Sequence, residues 1–158
     1  MPWHEIAIRL GLALLAGAIT GGDREIRGKP AGLKTHALVA LGAATFTLIS
    51  LEFMARSAAT LDPLRLVAGI VGGIGFLGAG TIIQSRGDVQ GVTTAAGIWI
   101  VGAMGVACGA GFYIIAGIAL AGTLLILIPV RLVERRLMRR YRGEHPGPVD
   151  DHAGGSGH

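Results

Sequence analysis

Charge is scarce in this chain: Asp, Glu, Lys and Arg make up 15% of its 158 residues, against 51% hydrophobic, and the mean hydropathy is +0.60. An ordinary soluble domain carries about 25% charged residues, so the shortage excludes a standard water-facing surface. Cysteine occurs once, at Cys108, which excludes an intramolecular disulfide and a cysteine-based metal site. No Ser/His/Asp constellation, activated cysteine or carboxylate pair in a cleft can be assembled, so no catalytic residue and no cofactor are expected and the chain reads as a non-enzyme. Long internal repeats are also lacking. The net charge of +4 comes from basic residues placed between apolar runs, which points to membrane topology and away from nucleic acid.

Glycine, by contrast, supplies 27 of the 158 residues, mixed among Leu, Ile, Val and Ala without a collagen period. Gly73, Gly75 and Gly78 spell GxGxxG. A dinucleotide loop needs a strand before these glycines, a helix after them and an acid about 20 positions on. Thr93 stands where the acid should be, and Asp88, the nearest one, lies in a short polar link. The phosphate reading fails on its context.

Apolar runs long enough to cross a hydrocarbon core of ~30 Å cover residues 6–22, 33–53 and 66–83. The run from Gly91 to Val130 is too long for one span and is expected to fold back at Gly109-Ala110-Gly111, giving spans 92–108 and 112–130. The start "MPWHE" lacks the basic region of a signal peptide, so the first run reads as a span. The expectation is an all-α bundle of five transmembrane helices over residues 1–133, with a basic tail over 134–158 whose Gly/Pro-rich end is disordered. The tail histidines His145, His152 and His158 lack ligand spacing, so no metal site is expected. Arg24, Arg27, Lys29 and Lys34 in the first link, Arg86 in the third and six arginines in the tail collect on one side, against Arg56 and Arg65 on the other. By the positive-inside rule the N-terminus lies outside and the C-terminus in the cytoplasm, with Trp3 at the outer interface.

On a helical wheel Ala68, Gly72, Gly75 and Ala79 form one stripe of the third span, and Gly69, Gly73 and Gly80 an adjoining one, with Gly78 completing the glycine set. Membrane helices associate by close packing at small residues. The third span is therefore expected to be the central packing helix, and its glycines to support a homo-oligomer or, more sharply, a cavity or broken helix.

Few polar groups reach membrane depth. Asp23, Arg24 and Glu25 follow the first span, and Lys34 and His36 enter the second. Mutual ion pairs among Asp23, Glu25, Arg27 and Lys34 account for these charges, or else they present a surface to anionic lipid or a partner. Arg9 lies inside the first span; either Glu5, four residues earlier, pairs with it, or Glu52 or Asp62 does so within the bundle. His36 reads as a hydrogen-bonded core histidine and not a proton relay. Thr93 and Thr94 open the fourth span, where they cap it or bond to a neighbouring helix.

"GGDREIRGKPAGLKTHALVALGAATF", "GIGFLGAGTII" and "GVTTAAGIWIVGAMGVACGAGFY" resemble, in order, the three signature blocks of the MgtC/SapB family of bacterial inner-membrane proteins, over residues 9–128. The resemblance implies a five-span domain in the bacterial inner membrane and a role in growth at low magnesium, stress adaptation and survival of pathogens in macrophages. For the best-known member it implies regulation of partner membrane proteins, notably the rotary ATP synthase. Asp23 stands where the family usually has Glu, and Gly69 and Gly72 where relatives often carry glutamine and serine. The soluble C-terminal domain of the virulence branch has no counterpart, which fits a short SapB-type member. The function expected is regulation of a partner membrane protein; the alternative is a transporter or channel for Mg²⁺ or another small solute.

Overall fold

The computed structural model describes residues 1–56, 62–85 and 88–127. Its helices are α1 (Trp3–Ile26), α2 (Leu33–Arg56), α3 (Pro63–Ala79), α4 (Val92–Ala110) and α5 (Tyr113–Leu127). The chain divides into Met1–Leu124 and Leu125–His158; of the second unit, only Leu125–Leu127 at the end of α5 are described. The basic tail, the end of the fifth expected span and Arg86 lie outside the described residues.

Two helices end in the same way. After α1, the Gly28 N–H donates to Glu25 O at 2.9 Å and the Lys29 N–H to Arg24 O at 3.1 Å; after α4, Gly111 donates to Cys108 O at 3.0 Å and Phe112 to Ala107 O at 2.8 Å. These paired bonds satisfy carbonyls that a helix end leaves orphaned, and they require a left-handed residue, here Gly28 at φ +61° and Gly111 at φ +84°. The expected fold-back at Gly109–Gly111 is thus where α4 turns into α5.

The packing centre differs from expectation. It is α2, gripped by glycine pairs on both flanking helices. A Cβ on Gly17 of α1 would lie 2.5 Å from His36 O and one on Gly21 2.7 Å from Gly32 O; on α4, a Cβ on Gly105 would run into Ala40 O and one on Gly109 would lie 2.7 Å from Ala44 O. Each pair is spaced GxxxG, the pattern that lets helix backbones touch. Small α2 residues, Ala37, Ala40, Ala43 and Ala44, fill the seam, and Ala13, Val101, Met104, Cys108 and Ala116 complete the core around them.

By contrast α3 is peripheral. Among the described residues, nothing lies within 4 Å of a Cβ built on Gly69, Gly72, Gly73 or Gly75, whereas one on Gly78 meets Ala95 at 3.5 Å. The helix is held by Ile74, which seats in the notch left by Gly102 of α4. Open space beside its glycines, and filled space beside those of α1 and α4, is why the central position falls elsewhere.

Among the described residues three helices, α1, α2 and α4, are long and apolar enough to cross a membrane; Leu64–Ala79 and Tyr113–Leu127 are shorter apolar helices. Asp62 accepts from the Leu64 N–H at 2.9 Å to start α3. Its end comes earlier than the apolar run, at Ala79, where Thr81 Oγ1 donates to Gly78 O at 2.7 Å. The remaining apolar residues enter a small antiparallel ribbon of β1 (Ile83–Ser85) and β2 (Asp88–Gln90), with Gln84 opposite Val89.

Candidate functional site

Arg24, on the last turn of α1, is 4% exposed, and among the described residues no carboxylate forms an ion pair with it. Its Nε donates to Ala31 O at 3.3 Å and Nη2 to Pro30 O at 3.1 Å; Nη2 also donates to Thr94 Oγ1 in the first turn of α4. One guanidinium thereby holds the link between α1 and α2 against α4. The held backbone includes Ala31 at φ +55°, a left-handed conformation that disfavours a residue with a Cβ by roughly 1–2 kcal/mol. Hydrogen bonds from a charged donor contribute about 1.5–3 kcal/mol each, enough to offset that strain.

His36 lies beside this cluster and is fully buried. Its Nδ1 is 3.0 Å from Gly32 O, so Nδ1 carries the proton in that bond, and Nε2 is buried without a partner among the described residues. A Cβ on Gly97 would lie 3.2 Å from His36 Nε2 and 3.9 Å from Arg24 Cδ. Gly97 is thus the flat wall on which both side chains rest. Sequence reasoning missed it because a glycine in an apolar helix looks the same whether it meets lipid or a ring.

The acids beside Arg24 are engaged elsewhere. Asp23 Oδ1 accepts from Arg27 Nη2 at 2.7 Å, and Glu25 Oε2 accepts from the Leu33 N–H at 2.7 Å at the start of α2. Lys29 and Lys34 are exposed and form no ion pair among the described residues. Among the described residues the expected mutual pairs include Asp23–Arg27, with Lys34 outside it.

Of the carboxylates considered for Arg9, Glu5 is the one that pairs with it among the described residues, and neither Glu52 nor Asp62 does. Arg9 pairs with Glu5 on its own helix, and its Nη1 donates to Gly109 O at 2.7 Å, at the C-terminal end of α4. A cation there complements the helix dipole and an orphaned carbonyl. Glu52 is occupied separately, by the Met1 amine at 2.7 Å and Arg56 at 3.3 Å, and Asp62 by the start of α3. Of the two threonines that open α4, Thr94 bonds to a neighbouring helix and Thr93 is exposed. The α3 residues Gly69, Gly72, Gly73 and Gly75, and Gly80 just past its end, are exposed, and Gly78 is buried.

Residues 10–136 match the family model described as the MgtC family. The chain belongs to the MgtC family. This MgtC-family protein is 39% identical to YhiD of Escherichia coli K12, named a candidate magnesium transporter, over 140 residues that cover 86% of this chain and 65% of YhiD. It is 41% identical to Protein SapB of Bacillus subtilis over 141 residues, 84% of this chain and 60% of SapB. Protein MgtC of Brucella abortus is 41% identical over 143 residues, 88% of this chain and 58% of that protein. The match thus spans less than two thirds of each of these relatives. No solved structure matches the chain significantly. Family and apolar helices together make this a membrane protein.

Proposed function

We propose that this MgtC-family chain is a non-enzymatic, multi-pass protein of the bacterial inner membrane that binds and regulates a partner membrane protein during magnesium limitation or stress. All five helices traverse the bilayer, with the N-terminus outside and the 134–158 tail in the cytoplasm, on the strength of the basic asymmetry of the links. The α1–α2 link is the contact surface. The observation that carries this reading is the division of labour within that link: Arg24 fixes its backbone from inside, both acids are engaged in local bonds, and Lys29 and Lys34 are exposed with no ion pair among the described residues. A rigid loop offering exposed cations suits an acidic partner surface or anionic headgroups. Copies of the chain associate through the exposed stripe Ala68, Gly72, Gly75 and Ala79 of α3.

The alternative, a conduit for Mg²⁺ or another small solute, draws on the name of YhiD. A hard divalent cation takes oxygen ligands, chiefly carboxylates. Among the described residues the buried polar ones are Thr20, Arg24, His36, Thr47, Thr94 and Thr123. Thr20, Thr47 and Thr123 donate to carbonyls of their own helices, and Arg24 repels a divalent cation. Crosslinking in native membranes followed by co-purification tests the proposal. One membrane protein recovered with wild type and lost with Lys29→Glu/Lys34→Glu is expected, and equal recovery with both would contradict it.

A further inference from the structure

A groove of about 670 Å³ runs between α2 and α3, with Leu38 and Phe46 on one wall and Leu66, Gly69 and Gly73 on the other. Among the described residues nothing fills the space beside Gly69 and Gly73. The groove's charged lining residue is Arg65, in the first turn of α3. Arg65 is exposed and has no ion-pair partner among the described residues; the carboxylate of Asp62 beside it accepts from the Leu64 N–H. The groove thus combines an apolar trough with one unpaired cation at the N-terminal end of its α3 wall, where the helix dipole adds positive potential.

Length narrows the choice of occupant. From Arg65 to Leu77 the α3 wall spans about 18 Å at the helical rise, close to the ~15 Å depth of one leaflet's hydrocarbon. A free phosphate has no use for such a trough. A second copy laid into it would press apolar surface against Arg65, and the stripe at Gly72 and Gly75, equally open, lies outside the groove. We propose that the groove between α2 and α3 binds an anionic phospholipid, with an acyl chain along Phe46, Gly69 and Gly73 and the phosphate at Arg65.

Native mass spectrometry of the full chain in non-ionic detergent, offered equal amounts of dioleoylphosphatidylglycerol and dioleoylphosphatidylcholine, tests this. A Lys29→Gln/Lys34→Gln background removes the link's own pull on anionic lipid. Retention of the anionic lipid should exceed that of the zwitterionic one by about fivefold, the worth of one basic residue near a membrane surface. Arg65→Gln should abolish the preference. Arg56→Gln should leave it, because Arg56 lies on α2 outside the groove and pairs with Glu52. Gly73→Leu, which fills the trough, should lower retention of both lipids. Inorganic phosphate should displace neither. Equal retention of the two lipids, a preference that survives Arg65→Gln, displacement by phosphate, or a high-yield disulfide between Gly69→Cys copies in phosphatidylglycerol membranes would each overturn the assignment.

Discussion

Arg24 and Thr94 are joined by a buried hydrogen bond across 70 positions of sequence. It ties the end of α1 to the start of α4, and the same guanidinium fixes the carbonyls of Pro30 and Ala31 between them. Thr94→Val keeps the shape and removes one acceptor, so it should lower stability by about 1.5–3 kcal/mol in SDS-induced unfolding from mixed micelles. Arg24→Lys should cost more, because one ammonium does not reproduce the fork that meets three acceptors. Wild-type unfolding by Arg24→Lys would contradict this role.

The glycines of α1 and α4 should be far less tolerant of a side chain than those of α3. Gly105→Leu drives a side chain into the Ala40 carbonyl, and overpacking of this kind costs about 1–3 kcal/mol or more. Gly72→Leu and Gly75→Leu meet open space in the single chain; they should leave monomer unfolding within about 0.5 kcal/mol of wild type while reducing oligomer yield. Ile74→Leu alters the residue seated in Gly102 and should shift unfolding without changing assembly. Equal oligomer yield for Gly72→Leu and wild type would remove the case for the α3 interface.

Glu5, Arg9 and the Gly109 carbonyl form one polar unit. Glu5→Gln and Arg9→Met should therefore be non-additive, with a coupling of about 0.5–3 kcal/mol in a double-mutant cycle on unfolding. Simple additivity would mean that the pair is solvated and independent.

Lys29→Glu and Lys34→Glu act on exposed cations with no ion pair among the described residues, so unfolding should stay within about 0.5 kcal/mol of wild type. Binding to an acidic partner or to anionic vesicles should weaken by about fivefold for each charge removed. A loss of fold on either change would assign these lysines to structure.

Much of the helical layout is legible in the apolar runs, and the turn at Gly109–Gly111 in its glycines, because both are local signals. The GxxxG pairs Gly17/Gly21 and Gly105/Gly109 are written as plainly as Gly69/Gly73, yet a glycine stripe does not say which neighbour covers it; two pairs meet α2 and the third is open. The β-ribbon is illegible as a strand signal, since Ile83 continues an apolar helical run and only the stop at Gly78–Thr81 separates it. Arg24 misleads for a similar reason. Flanked by Asp23 and Glu25, it suggests an ion pair, but those acids sit on other faces of the turn and engage Arg27 and Leu33, which leaves Arg24 to carbonyls supplied by the link.

Binding without transport is tested most directly by Mg²⁺ flux into proteoliposomes holding the full-length chain under an imposed gradient. The buried cation at Arg24, the exposed lysines of the link and threonines bonded to their own helices predict no saturable flux above protein-free vesicles. Saturable Mg²⁺ flux that Glu52→Gln abolishes, in protein that remains folded, would contradict the binding role and make this MgtC-family chain a conduit.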